Sequence, residues 1–357
     1  MRLLALLTDG FGSLGGIARY NCDLMTALAQ SSLVREITIL PRFASAVAAP
    51  VSAKITQLTP SRDRSTWSAR AVAVAVRQQV DLVFCGHINA VPLAAGIARV
   101  LRKPLWLQVH GIDVWQPKGS VYRRGIEGAA LVTAVSRHTR SKLLGWTDIA
   151  PDRVRVLPNT FDPRFAPRAR RRDLAARHGL AGKRIILTVC RLASSERYKG
   201  NDRIFTALPR IRDAVPNAAY LIVGAGDDEP RLEKLAESLQ VREHVVFAGQ
   251  CSGSELPDYF ALADVFAMPS TGEGFGIVFL EAAAMGLPVI AGNLDGSVDA
   301  LADGALGRLV DPTSPDQIAD AIIDALEGRM QANAGAAHRF SFANFSRQVD
   351  ELVASLH

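Results

Sequence analysis

Short runs of consecutive apolar residues recur along this chain, and stretches with helical spacing of apolar positions alternate with them. Leu3 to Leu7 precedes Ile17 to Ala29, and Leu82 to Cys85 precedes Ala90 to Leu101; Leu105 to Val109 and Leu131 to Val135 continue the series. A run that is apolar at every position suits a strand covered on both faces, the condition of a parallel sheet flanked by helices. Parallel strands are joined by right-handed crossovers, and ligands collect at the carboxyl ends of such strands. The pattern therefore specifies an α/β architecture.

The alternation starts afresh at Ile185, after an interruption. Val154 to Thr160 reads as a last short strand, Phe161 to Pro167 holds two prolines, and the basic run Arg168-Ala169-Arg170-Arg171-Arg172 follows. Proline and charge in place of periodic apolar sequence indicate a linker. The expected organisation is one Rossmann-like domain over 1–162, a second over 163–338, and a terminal helix over 339–357. A length of 357 residues with 48% hydrophobic content supplies two cores.

Charge divides the chain in the same place. Residues 1–162 hold 20 Lys+Arg against 10 Asp+Glu, and residues 163–357 hold 21 against 25, so +10 faces −4. A basic half suits an anionic membrane surface, a phosphorylated substrate or nucleic acid. Aromatics are 6% of the chain and do not interleave with the basic runs, so nucleic acid is the weakest of these. Cys22, Cys85, Cys190 and Cys251 show no metal-ligand spacing, which reads as reduced thiols in a cytoplasmic protein. With five apolar residues at the start and no uninterrupted run of about 18, the expectation is a cytoplasmic protein, at most peripheral on the inner face of a membrane.

Two loops in the first half point to a site. Gly10-Phe11-Gly12-Ser13-Leu14-Gly15-Gly16 lies between strand and helix, and its Gly-x-Gly-x-x-Gly spacing raises dinucleotide binding by an oxidoreductase. The second strand, Glu36 to Leu40, ends in Pro41-Arg42 rather than the acid that would hold a ribose, which argues against it. Gly15 and Gly16 remain candidates for approach to a phosphate. His110-Gly111-Ile112-Asp113 follows the strand Leu105 to Val109 and is placed to reach a ligand. Arg123, Arg124, Arg137, Arg140 and Lys142 are the candidate cations for a membrane or an acceptor phosphate.

In the second half, strand Ile185 to Cys190 delivers Arg191, and Lys199-Gly200 precedes a helix at Asn201 to Leu208. A planar fork of donors and a point charge at a strand mouth suit a diphosphate. Strand Val265 to Met268 runs into Gly272-Glu273-Gly274-Phe275-Gly276, with Glu281 on the helix beyond. Glycine admits close approach of backbone to a ligand, and a helix N-terminus attracts anions. The two glutamates, expected two helical turns apart, suit grips on different parts of a ligand better than flanking one bond.

Val189-Cys190-Arg191-Leu192, Lys199-Gly200, Leu221 to Gly226, Val246 to Gly249, Glu273-Gly274-Phe275-Gly276, Glu281-Ala282 and Gly286 to Ile290 together resemble glycosyltransferase family 4. Gly15-Gly16-Ile17-Ala18-Arg19, His110 to Asp113 and Leu157-Pro158-Asn159 extend the resemblance over nearly the whole chain. The resemblance implies a GT-B fold, two Rossmann-like domains with the terminal helix returning to the first. It also implies a retaining hexosyltransferase that uses a GDP- or UDP-sugar as co-substrate, without a metal, on a glycan or lipid-linked acceptor. By the same resemblance Arg191 and Lys199 hold the donor diphosphate, Glu281 the ribose, and Glu273 with the amides of Gly274, Phe275 and Gly276 the sugar. Gly16 approaches the diphosphate, His110 the reacting centre, and Gln250, Cys251 and Ser252 lie where the base is held.

Two departures stand out. The family's Pro-Glu after a glycine pair is Asp295-Gly296-Ser297-Val298-Asp299 here, and its Asn-Gly is Asn159-Thr160. An epimerase or hydrolase on the same fold, or a non-catalytic nucleotide-sugar binder, remains open from sequence.

Overall fold

A computed structural model describes residues 1–13, 15–43 and 51–356. The chain forms two compact units, Met1–Thr160 with Phe340–His357, and Phe161–Arg339.

The first unit contains β1 (Arg2–Asp9), α1 (Gly16–Gln30), β2 (Glu36–Phe43), β3 (Ile55–Gln57), α2 (Arg64–Arg77), β4 (Leu82–Cys85), α3 (Val91–Leu101), β5 (Leu105–Val109), α4 (Ser120–Glu127), β6 (Leu131–Ala134), α5 (Arg137–Leu144) and β7 (Val154–Val156). Its seven strands are parallel in the order β3-β2-β1-β4-β5-β6-β7. Leu3 to Leu7 are buried, as a run apolar at every position requires in a central strand. Sequence order reverses between β1 and β4, so the loops after these strands diverge and leave a crevice at their carboxyl ends.

Several elements differ from their expected bounds. β2 continues through Pro41 to Phe43 instead of ending at Leu40. The Ile37 N–H donates to Lys54 O on the β3 side, so the Pro41 nitrogen faces the same side but lies beyond the end of β3, where no ladder bond is lost. β7 stops at Val156, three residues into the expected strand. α2 and β3 lie in a stretch whose alanine and valine content gives no clear period, and Asp63 caps α2 by accepting the Thr66 N–H at 2.7 Å.

The second unit contains α6 (Arg172–Arg177), β8 (Arg184–Val189), α7 (Asn201–Ala214), β9 (Ala218–Val223), α8 (Glu229–Ser238), β10 (Val245–Phe247), α9 (Leu256–Leu262), β11 (Val265–Met268), α10 (Ile277–Ala284), β12 (Val289–Gly292), α11 (Ser297–Ala300), β13 (Arg308–Val310) and α12 (Pro315–Leu326). Six parallel strands run β10-β9-β8-β11-β12-β13, with the reversal between β8 and β11. α7 continues through Pro209 to Ala214 rather than ending at Leu208. The basic run is not a free linker, because Arg168 and Arg171 pair with Asp258 (3.2 Å each) and Arg170 pairs with Asp264 (2.7 Å).

The last helix, α13 (Phe342–Ala354), packs on α1 of the first unit. Asp350 accepts from the Ser31 hydroxyl, the Thr160 hydroxyl donates to Phe340 O at 2.7 Å, and Phe345 meets Tyr20 edge-on at 5.9 Å. No helix among the described residues is long and apolar enough to cross a membrane.

Candidate active site

In the second unit the residues at the carboxyl ends of β8 and β11 meet. Arg191 follows β8, and a 3₁₀ segment, Ser194–Lys199, carries Lys199 back over the sheet edge to Gly200. Gly200 has φ +83°, and a side-chain carbon there would lie 2.4 Å from Pro269 O, so only glycine lets α7 start against the loop after β11. That packing puts the Lys199 ammonium 2.6 Å from Glu273 Oε1 and 3.7 Å from Glu196 Oε2. The side chains of Lys199 and Glu273 are only 13% and 14% exposed, so the pair is largely shielded from water. Burial opposes the ammonium charge, but the charge and hydrogen bond of Glu273 outweigh it and hold the Lys199 pKa above its ordinary value. Arg191 is 74% exposed and pairs with Glu196, leaving an exposed cation beside a shielded one.

Glu273 is held through its backbone. Its N–H donates to Asp295 Oδ2 at 2.8 Å, and Gly296 N–H donates to Glu273 O at 2.8 Å. Asp295 is buried and also accepts from the Ser270 hydroxyl (2.7 Å) and from Ser297 N–H (2.9 Å). A side-chain carbon at Gly296 would fall 2.0 Å from Gly274 O, so the two glycine loops touch. Sequence comparison with the family marked Asp295 only as a departure; the structure makes it the clamp on the loop that carries Glu273. Ser297, within the same departure, and Ser270, which carried no sequence signal, are two more points of the clamp.

Gly274, Phe275 and Gly276 lead into α10, whose N-cap is Gly276 at φ +90°. The first N–H groups of a helix have no intrahelical acceptor, so this end can bind an anion. Glu281 is the fifth residue of α10 and is half-buried. The two glutamates are thus separated by a loop and one helical turn, not the expected two turns. Gln250 and Cys251 follow β10, on a loop joined to the one after β9 by the Gly224–Gly249 bridge; Gln250 is exposed and Cys251 half-buried. Burial pushes the Cys251 thiol up, so it stays protonated.

The remaining expected residues belong to the first unit. Gly15 (φ +107°) caps α1, Gly16 begins it, and both are exposed with open space where a side chain would stand. The Gly10 loop before them is pinned by Gln57 of β3, which accepts from Phe11 N–H (2.8 Å) and donates to Phe11 O (3.0 Å). Tyr20 of α1 meets the His110 ring edge-on at 5.3 Å, tying the glycine end of β1 to the end of β5. His110 Nε2 lies 2.9 Å from Gly86 O, and a carbonyl only accepts, so Nε2 carries the proton and Nδ1 is an acceptor. Burial, with His87 nearby, lowers the His110 pKa to about 3, keeping the ring neutral.

His87 is a neighbour that sequence reasoning missed. It follows β4, the strand beside β5, so only sheet order reveals its proximity to His110; the two rings stack at 6.1 Å. Its Nδ1 accepts from Asn89 N–H at 3.1 Å, which leaves its proton on Nε2, 4.0 Å from Asp113 Oδ2. Burial also lowers the His87 pKa, to about 4. Both Asp113 oxygens are buried without a hydrogen bond among the described residues. Burial pushes its carboxyl up to about 6, against the milder pull of nearby amides at Gly111 and His110.

Two parallel sheets, each gathering glycine turns and charged or imidazole side chains at its carboxyl edge, match the two Rossmann-like units of the GT-B fold. The model for "Glycosyltransferase Family 4" matches residues 14–165, and that for "Glycosyl transferases group 1" matches 171–341. The chain is 35% identical over 382 residues to the GDP-mannose-dependent alpha-(1-6)-phosphatidylinositol monomannoside mannosyltransferase of Mycobacterium tuberculosis, covering 99% of this chain and 97% of that protein. The enzyme of the same description from Mycolicibacterium smegmatis is 39% identical over 291 residues, covering 77% of this chain and 75% of that one. The crystal structure of Anabaena Alr3699/HepE in complex with UDP and glucose shares the fold, with TM-score 0.79 and 21% identity over 99% of this chain and 100% of that one. The chain belongs to glycosyltransferase family 4 and is an enzyme, a glycosyltransferase.

Proposed function

We propose that this enzyme is a retaining hexosyltransferase that moves mannose from GDP-mannose to a hydroxyl of a phosphatidylinositol-type glycolipid. The donor and acceptor follow the mycobacterial relative, which aligns over 99% of this chain. The observation that carries the donor site is the shielded Lys199–Glu273 pair beside the exposed Arg191. Glycosyl transfer builds charge on the departing diphosphate, and preorganised cations in a shielded site stabilise that charge most. Lys199 is fixed and protonated, while Arg191 supplies a fork of donors that closes on the phosphates. With these two charges no metal is required. The amides at the start of α10 and the Glu273 carboxylate grip the sugar, and Glu281 the ribose. His110, neutral with a bare Nδ1, accepts from a sugar hydroxyl. Attack comes from the face the leaving phosphate occupies, and that phosphate takes the acceptor proton.

A thermal-shift panel of nucleotide sugars followed by transfer of labelled sugar tests the reading. GDP-mannose should raise the melting temperature most, by mass action on the folded state, and label should pass to a phosphatidylinositol mannoside. Stabilisation by a UDP-sugar alone, or transfer only to a lipid-free glycan, would overturn the donor or the acceptor respectively.

A further inference from the structure

Glu196 stands between the two cations of the second unit's site. The 3₁₀ segment Ser194–Lys199 departs from helical geometry at this residue (φ −118°, ψ 26°). There the carboxylate pairs with the Arg191 guanidinium through Oε1 and lies 3.7 Å from the Lys199 ammonium through Oε2. The loop after β9 pins the segment on both sides of Glu196. Asp227 accepts from the Ser194 N–H (2.8 Å) and hydroxyl (2.6 Å), and Asp228 accepts from the Arg197 guanidinium (2.9 Å). The Glu196 side chain is 11% exposed, and Oε2 is buried without a hydrogen bond among the described residues. A buried carboxylate oxygen left unbonded costs free energy. What that oxygen faces is the Lys199 ammonium, so its charge acts on the site.

The charges here already balance. Arg191 and Lys199 face Glu196 and Glu273, so an entering diphosphate meets two cations and two carboxylates. The two carboxylates differ in what they hold. Glu273 bonds the shielded Lys199 at 2.6 Å, whereas Glu196 pairs with Arg191, whose side chain is 74% exposed. Guanidinium binds carboxylate and phosphate with the same planar fork of donors, so Arg191 can exchange one for the other. A diphosphate therefore takes Arg191 from Glu196 and then sits near a fixed carboxylate that repels it.

We propose that Glu196 is a competing counter-ion: it holds Arg191 in the empty enzyme, yields it to the donor diphosphate, and takes it back as the nucleoside diphosphate leaves. The proposal rests on the reading of Arg191 and Lys199 as the diphosphate grips. Once the sugar has gone, the terminal phosphate ionises a second time near neutral pH, so the product carries more negative charge than the donor did. Two cations without a competitor would hold that product more tightly than the substrate. Glu196 offsets the difference. It is a positioning residue that acts through Arg191 and leaves the reacting atoms to others.

The test is titration calorimetry of GDP, UDP and their free nucleosides into the wild type, Glu196→Gln, Glu196→Ala and Arg191→Ala with and without Glu196→Gln, folding being checked by thermal melts. Whichever nucleoside diphosphate the wild type binds should bind Glu196→Gln and Glu196→Ala about tenfold more tightly. The affinity for the matching nucleoside should not change, because only the diphosphate meets the carboxylate's charge. In the Arg191→Ala background the gain from Glu196→Gln should shrink to about threefold or less, since the competition runs through Arg191. Equal or weaker diphosphate binding by a folded Glu196 variant, or an undiminished gain without Arg191, would overturn the proposal and leave the diphosphate grips standing. Failure of the wild type to bind either nucleoside diphosphate would overturn the grips, and the proposal with them.

Discussion

Asp295 offers a test of how the donor loop is built. Its Oδ2 accepts from Ser270 Oγ (2.7 Å) and Glu273 N–H (2.8 Å), and its Oδ1 from Ser297 N–H (2.9 Å), the two serine contacts buried and the Glu273 contact partly so. Hydrogen bonds to a charged group contribute about 1.5–3 kcal/mol each, and a donor left buried without an acceptor costs about 1–3 kcal/mol. Asp295→Asn keeps the shape: its amide oxygen serves the two donors at Oδ2, and its NH₂ then opposes the Ser297 N–H, a loss of about 2 kcal/mol. Asp295→Ala strands all three donors, a loss of about 4 kcal/mol once partial rescue by water is allowed. For a unit the size of Phe161–Arg339, about 1 kcal/mol moves the melting temperature by about 2–4 °C. Differential scanning calorimetry should therefore show the second unit's transition falling by about 5 °C for Asn and about 10 °C for Ala. Because the clamp also sets Glu273, the KM for the sugar donor should rise in both variants under conditions where they remain folded. An Ala variant that melts within about 2 °C of the wild type with unchanged donor KM would refute the clamp.

Asp113 predicts a pH dependence. Its folded pKa of about 6 exceeds its ordinary value of 3.8, so its contribution is favourable below about pH 4 and is lost as pH rises through 6, a change of about 3 kcal/mol. Asp113→Asn should match the wild type near pH 4 and exceed its stability at pH 7 in denaturant melts; a pH-independent difference would contradict the buried unpaired carboxyl. Glu281→Ala should weaken nucleotide binding about tenfold, roughly one charge-assisted hydrogen bond; equal affinity by calorimetry would remove its ribose role.

Much of the fold was legible because a doubly covered parallel strand leaves an unbroken apolar run, as at Leu3 to Leu7 and Ile185 to Leu187. The failures have local causes. α7 runs past Pro209 because tertiary packing outweighs the proline, and α2 escaped notice because alanine and valine blur its period. At the candidate site, the nearness of Lys199 to Glu273 was legible as charge beside glycine at the mouths of two strands, β8 and β11, which the sheet pairs. His87 and Asp295 were not. The one reaches His110 only through the β4–β5 pairing, and the other acts on backbone 22 residues away in sequence. The length of α10 before Glu281 depended on where Gly276 let the helix begin, which residue spacing alone does not reveal.

The central claim is that Lys199, held by Glu273, carries the charge of the departing diphosphate. Steady-state transfer kinetics of Lys199→Ala, with Arg191→Ala beside it, test this most directly, with calorimetry to confirm that each variant is folded. Removing a preorganised charge from the leaving group should cut kcat/KM by about 10²–10³-fold or more, with kcat falling at saturating donor. Unchanged kcat/KM in a folded Lys199→Ala enzyme would contradict the account.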